Sequence, residues 1–300
     1  MDQQLLLVAL AGFAASLVDG ALGMGFGPTS STILLSTGLS PAAASTTVNL
    51  AKVVIGIAGA ISHWRFRNID HRLVLQLAIP GCVGALVGVT VLTNVDGASL
   101  RPILAAMLVL VGLRILHRFS RPLPTGSRPG PDGNALDHDP DRMPDYDARG
   151  VAVAGTAGGI TNGLIGAWGP IVTPYLLHKG LPPRFAIGSV NTAEVAVAAV
   201  AASSLIASLG SGGVSLPTVL AMLAGGIVAA PLSGWVVRHI PARPLGLAVA
   251  ALLLLTNARE LAGWASLGAV RWLAYGAVVA LVAAAALAPR FTRADTPSPA

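Results

Sequence analysis

The sequence predicts an all-α polytopic membrane protein of two inverted repeats, each a broken, re-entrant helical hairpin followed by three transmembrane helices, with an extra C-terminal helix. Three observations lead there. First, 54% of the 300 residues are hydrophobic and 11% are charged, whereas soluble domains carry about 25% charged residues. Second, a glycine-rich break occurs twice, as Gly20-Ala-Leu-Gly-Met-Gly-Phe-Gly-Pro28 and Gly163-Leu-Ile-Gly-Ala-Trp-Gly-Pro170. From Gly-Pro onward the copies keep one register, 142 residues apart, pairing Pro28 with Pro170, Gly38-Leu39 with Gly180-Leu181, Pro41 with Pro183, and Val48-Asn49 with Val190-Asn191. Third, basic residues divide unevenly between the two sets of loops.

The elements follow in order. Residues 5–18 are apolar but shorter than the roughly 20 residues of a spanning helix, and no basic segment precedes them to suggest a cleaved signal. After the break, residues 28–35 resume the apolar pattern. This reads as two half-length helices, with Pro28 as first residue of the second, where its missing N–H has no partner to lose. Full spans are expected at 42–64, 73–92 and 100–116, completing a first membrane repeat over 1–118. Residues 119–149 hold six prolines and six aspartates without apolar periodicity and read as a disordered cytoplasmic linker. The second inverted membrane repeat, 150–262, has half-helices at 151–165 and 170–177 and spans at 186–209, 216–237 and 245–261. An extra transmembrane helix at 270–287 and a loose polar tail fill 263–300.

Loop charge decides whether the broken elements cross or turn back. If both turn back, 15 of the 19 Lys and Arg face one side, three (Arg101, Arg259, Arg271) face the other, and Lys52 lies within the membrane. If the second element crosses, the division falls to 11 against seven. The positive-inside rule favours turning back. One hairpin plus three spans is an odd number of crossings, so the second repeat enters from the opposite face. The first hairpin has no flanking basic residues and is placed by analogy with its sister.

Backbone without helical hydrogen bonds is tolerated at membrane depth only where it is buried in protein or lines a watery cavity. Paired discontinuous helices in inverted repeats mark secondary transporters that bind substrate near the midplane. A half-helix starting at that depth offers free N–H groups and the positive end of its dipole to an anion. The substrate-binding candidates are therefore Gly25, Gly27, Pro28, Thr29 and Ser30 at the first break and Gly166, Gly169 and Pro170 at the second. Thr47, Asn49, Lys52, Ser189 and Asn191 join them from the helices that follow. Asn49 and Asn191 carry both donors and acceptors to orient an oxyanion. An ionisable residue in an apolar span costs at least ~2.5–3.5 kcal/mol and is functional by default. Lys52 can balance substrate charge and Glu194 can carry a coupling proton. The competing reading is a structural ion pair, since the two are repeat-equivalent and opposite in sign. Asp19 reads as a cap for a broken helix end.

The paired breaks ending in Gly-Pro are each followed by a Gly-Leu-x-Pro turn and a helix with Val-Asn, at Gly38 to Pro41 with Val48-Asn49 and Gly180 to Pro183 with Val190-Asn191. In these features the chain resembles the TauE/SafE sulfite exporters, over all but the linker and tail. The resemblance implies export of sulfite, sulfonates or related small organic anions, which places the chain in the cell inner (plasma) membrane, while Glu194 adds protons, or another coupling ion, as a candidate partner. The alternatives are an anion channel or a transporter of another small organic carboxylate. The expected partners are the small anion and the lipid bilayer. A homodimer is one assembly compatible with this reading, and nucleic acid is not indicated. The lone Cys82 and the lack of a His, Cys or carboxylate cluster speak against an enzyme, a metal site or a cofactor.

Overall fold

The computed structural model describes residues 3–120, 146–210, 215–239 and 242–287. Among these residues the chain is helical throughout, with no strand. The order is α1 (Gln3–Leu22), α2 (Phe26–Ser36), α3 (Pro41–Arg65), α4 (His71–Asn94), α5 (Gly97–Ser120), α6 (Val151–Ile165), α7 (Gly169–His178), α8 (Pro183–Leu209), α9 (Leu216–His239), α10 (Ala242–Trp264) and α11 (Arg271–Leu287), with a 3-10 turn at Gly268–Val270. Local signals explain several starts. Ser40 caps α3 by accepting from the Ala43 amide at 3.2 Å ahead of Pro41, and Asp70 caps α4 by accepting from Arg72 and Leu73 at 2.9 and 3.2 Å. The turns after the two short helices match, with Gly38 and Gly180 both at φ 91°.

Seven helical stretches are long and apolar enough to cross a membrane, beginning with Gln3–Gly20 in α1. This corrects the half-length first arm. The apolar pattern stops at Asp19, but that carboxylate turns away to cap α2, so α1 continues through Gly20 to Leu22 and reaches 20 residues. The sister arm α6 has 15 residues. Helix α9 is 24 residues long, although its described apolar stretch is Leu216–Ala229.

The helices pair across the two halves. Helix α1 packs along α9 and α6 along α4, while α3 meets α8 and α5 meets α10. Glycines make these approaches close. On α4 and α6, Leu77 faces Gly155, Gly81 faces Gly159 and Ala85 faces Gly163, so the two helices run parallel. A methyl on Gly155 would stand 2.9 Å from the Leu77 carbonyl, and one on Gly163 would stand 2.6 Å from that of Ala85. Small residues at such contacts replace the hydrophobic driving force that lipid does not supply. Trp168, fully buried, fills the space left by Gly81 and Gly158, and its indole N–H donates to the Val190 carbonyl at 3.1 Å.

The expected linker lies outside the described residues from 121 to 145, and so does the tail from 288. Its far end is not a loose tether. Tyr146 hydrogen-bonds Asp70, and burial together with that carboxylate pushes its phenol up to about 12. The Tyr175 hydroxyl donates to the Arg149 carbonyl, and Lys179 Nζ meets Asp147 Oδ2 at 2.7 Å. The start of α6 and the end of α7 are thereby held together. The Lys179 contact holds the Asp147 carboxyl below its ordinary range, so the attraction is present at neutral pH and is lost as pH falls through that lowered value. In a Cys82→Ala background, Asp147→Cys with Lys179→Cys should be joined by a short bifunctional maleimide at neutral pH. Failure to cross-link, with each single cysteine reactive, would separate the two ends.

Candidate functional site

At the first break α1 ends at Leu22, and Gly23 takes φ 68°, a left-handed conformation that glycine adopts without a Cβ clash. Asp19 Oδ1 accepts from the amides of Gly25 and Phe26 at 2.8 and 3.1 Å, so α2 begins at Phe26. Pro28 is therefore its third residue, not its first. The position suits proline equally, because none of the first four amides of a helix has an intrahelical acceptor.

At the second break Gly166, at φ 67°, closes α6 by donating to the Asn162 carbonyl at 2.8 Å, and α7 begins at Gly169. Carbonyls at the end of α6 also accept from side chains of the other half. Ser45 Oγ donates to Gly163 O at 2.7 Å, Ser31 Oγ to Ile165 O at 2.7 Å, and Asn49 Nδ2 to Asn162 O at 3.3 Å. Asn162 Nδ2 returns a bond to Asn49 Oδ1 at 2.7 Å. Lys52 Nζ donates to the Gly166 carbonyl, to Asn162 Oδ1 at 3.0 Å and to Glu194 Oε1, which uses all three ammonium protons. Lys52 is 7% exposed and Glu194 20%.

The two breaks face each other across a cleft lined by Gly25, Gly27, Pro28, Lys52, Gly166, Gly169, Pro170, Asn191 and Glu194, with Asp19, Gly23, Met24 and Phe26. It encloses only about 10 Å³, room for about one water. The amides of Gly27 and Gly169 carry no hydrogen bond among the described residues, and Asn191 makes no side-chain bond. A larger cavity of about 330 Å³ adjoins the cleft at Met24 and Pro170. It is flanked by Arg114 and Arg118 from the last turns of α5, and Arg118 Nη1 rests 3.1 Å from Met24 Sδ.

Other sequence candidates lie apart from the cleft. Thr47 Oγ1 donates to the Ala43 carbonyl at 2.8 Å, and Ser30 Oγ bonds the Phe26 and Gly27 carbonyls of its own helix. Ser189 Oγ accepts from the Asp70 amide at 2.9 Å, tying α8 to the α3–α4 turn. Thr29 is buried with its hydroxyl unpartnered, as is Thr173 on α7. Asn49 belongs to the clamp around the end of α6.

The profile of the family described as "Sulfite exporter TauE/SafE" matches residues 8–260. The chain belongs to the TauE/SafE family. It is also 38% identical over 287 residues to the "Probable membrane transporter protein YtnM" of Bacillus subtilis (strain 168), covering 95% of this chain and 92% of that protein. No solved structure matches it. Family membership makes this a membrane transporter and not an enzyme, and its apolar helices make it multi-pass.

Sequence reasoning missed Asn162 in this TauE/SafE protein, because its register equivalent is Gly20 and the repeat carries no signal there. It also missed Arg114 and Arg118, which look like ordinary basic residues at a helix end. The geometry separates the two repeat-equivalent asparagines. Asn49→Ala should lower stability by about 1–3 kcal/mol, because the buried Asn162 Nδ2 loses its acceptor while Asn162 Oδ1 stays bonded to Lys52. Asn191→Ala should leave the unfolding temperature within about 2 °C of wild type, a change under ~0.5 kcal/mol, while impairing transport. Thermal unfolding in detergent and flux in vesicles check both, and equal destabilisation by the two substitutions would remove the distinction.

Proposed function

We propose that this protein is a secondary transporter that exports small sulfur-containing anions such as sulfite or organosulfonates by alternating access. The substrate binds between the two broken tips. In this reading the halves are inverted repeats, α6–α7 is a re-entrant hairpin entering from the cytoplasmic face of the plasma membrane, and α1–α2 is its counterpart from outside. The apposed ends of α6 and α7 and the exchanged packing of α1 on α9 and α6 on α4 support it. The length of α1 also suits a full crossing, which would leave every later loop on the same side.

The observation that carries the mechanism is the full commitment of Lys52. Its ammonium has no proton left for a substrate while Glu194 holds one of them. An anion reaches Lys52 only when Glu194 gives it up, and protonation of Glu194 is the step that does so at least cost. Anion and proton therefore load together. The free amides of Gly27 and Gly169 and the carboxamide of Asn191 complete an oxyanion cradle. The cleft, closed to about 10 Å³, fits the occluded state of a carrier.

Flux of labelled sulfite into reconstituted vesicles tests this. Lys52→Met leaves a buried carboxylate uncompensated and should cost about 3–5 kcal/mol of stability, part of which the Lys52→Met, Glu194→Met double variant should regain, the Gly166 carbonyl and Asn162 Oδ1 staying without the ammonium. That double variant should be folded but inactive. Glu194→Gln should retain sulfite-induced thermal stabilisation while its flux loses pH dependence. A double variant that transports with its pH dependence unchanged would reduce the pair to a structural strut.

A further inference from the structure

The turn between α10 and α11 carries a separate, partly open cavity of about 640 Å³ that shares no residue with the cleft at the breaks. Its walls include Arg259, Ser266, Arg271, Trp272 and Tyr275. Helix α10 ends at Trp264, the chain reverses through Ser266 and Gly268, both at φ 51°, and α11 starts at Arg271. Because the cavity joins the ends of two crossing stretches, Arg243–Trp264 and Gly268–Leu287, it lies at the water–lipid boundary. Trp264 and Trp272 are 67% and 65% exposed there, at the level where tryptophan meets lipid headgroups.

We propose that this cavity binds the headgroup of an anionic phospholipid. Neither Arg259 nor Arg271 has a carboxylate partner among the described residues, and Arg271 instead rests over the Trp272 ring at 5.6 Å. No carboxylate lines the cavity, so two positive charges are unbalanced and a zwitterionic headgroup is the poorer match. Guanidinium forks match phosphate oxygens bidentately. The volume is far greater than a free three- or four-oxygen anion occupies and suits a headgroup with its glycerol. Trp272 and Tyr275, edge to face at 5.6 Å, offer an apolar wall where the acyl chains begin. Helix α11 lies beyond the family match and rests chiefly on α10, so a lipid held here would join it to the bundle. The site stands on whichever face the turn occupies and does not depend on the transport mechanism.

Purified full-length protein titrated with phosphatidylglycerol or phosphatidylcholine, and separately with inorganic phosphate, tests the assignment by native mass spectrometry and thermal unfolding. Phosphatidylglycerol should be retained and should raise the unfolding temperature, while phosphatidylcholine and millimolar phosphate should not. Arg259→Gln with Arg271→Gln should weaken phosphatidylglycerol binding about 30-fold, and Arg271→Gln alone about fivefold should the double variant fold poorly. Arg101→Gln should leave it unchanged. Equal retention by wild type and the double variant would overturn the proposal, and so would stabilisation by phosphate equal to that by the lipid.

Discussion

The structure depends on how one interrupted helix end is satisfied inside a membrane. At the end of α6 the buried carbonyls of Gly163, Ile165 and Gly166 receive no helical amide, so each must be met from elsewhere in the protein, and the Asn162 carbonyl takes a second donor besides the Gly166 amide. Ser31, Ser45, Asn49 and Lys52, all from the first half, donate to Ile165, Gly163, Asn162 and Gly166. Those bonds bring α2 and α3 against α6, set the Gly27 backbone against the Gly166 carbonyl, and hold Lys52 where it meets Glu194. A methyl on Gly27 would overlap that carbonyl and stand 3.2 Å from the Lys52 ammonium. The approach of the two tips therefore rests on the absence of a side chain at that position.

The duplication does not make the two ends equivalent. At a distance of 142 residues Ser31 corresponds to Thr173, Ser45 to Ile187, Asn49 to Asn191, Lys52 to Glu194, and Asn162 to Gly20. Every donor that clamps the end of α6 has thus become, at the end of α1, an apolar residue, an unpartnered polar group or an acceptor. Ile187 packs over Gly23, and the Thr173 hydroxyl is buried without a bond. One tip is anchored and the other retains unused hydrogen-bonding capacity.

Much of this was legible in the sequence because it rests on local pattern and repetition. The two breaks, the matching turns at Gly38 and Gly180, the spans and the pairing of Lys52 with Glu194 all follow from residue type and register. What was not legible depends on helix phase and on contacts between distant segments. Ser189 has the composition of a site residue, yet its face of α8 meets the Asp70 amide. Asn49 looked like a ligand because nothing in its own neighbourhood showed Asn162 opposite it. Hydropathy ended the first helix at Asp19 because it scores a carboxylate as solvent-seeking, whereas this one is engaged by two backbone amides. The Arg259 and Arg271 cavity requires the reversal between α10 and α11, which places together two charges that the sequence shows only as flanks of a loop.

The packing of α1 on α9 also governs how the chain is made. Gly12 lies against Met222, and Gly225 lies against Ala9 and Phe13, so α1 leaves the ribosome more than 200 residues ahead of its intended neighbour. At about 5–20 residues per second, α1 stays in the bilayer for roughly 10–40 s with its glycine face against lipid or a chaperone. Helix α6 has no such delay, because α4 is already in place when it emerges. Neither half can complete its own interior alone, and the docking of α1 onto α9 must wait for the second half to emerge.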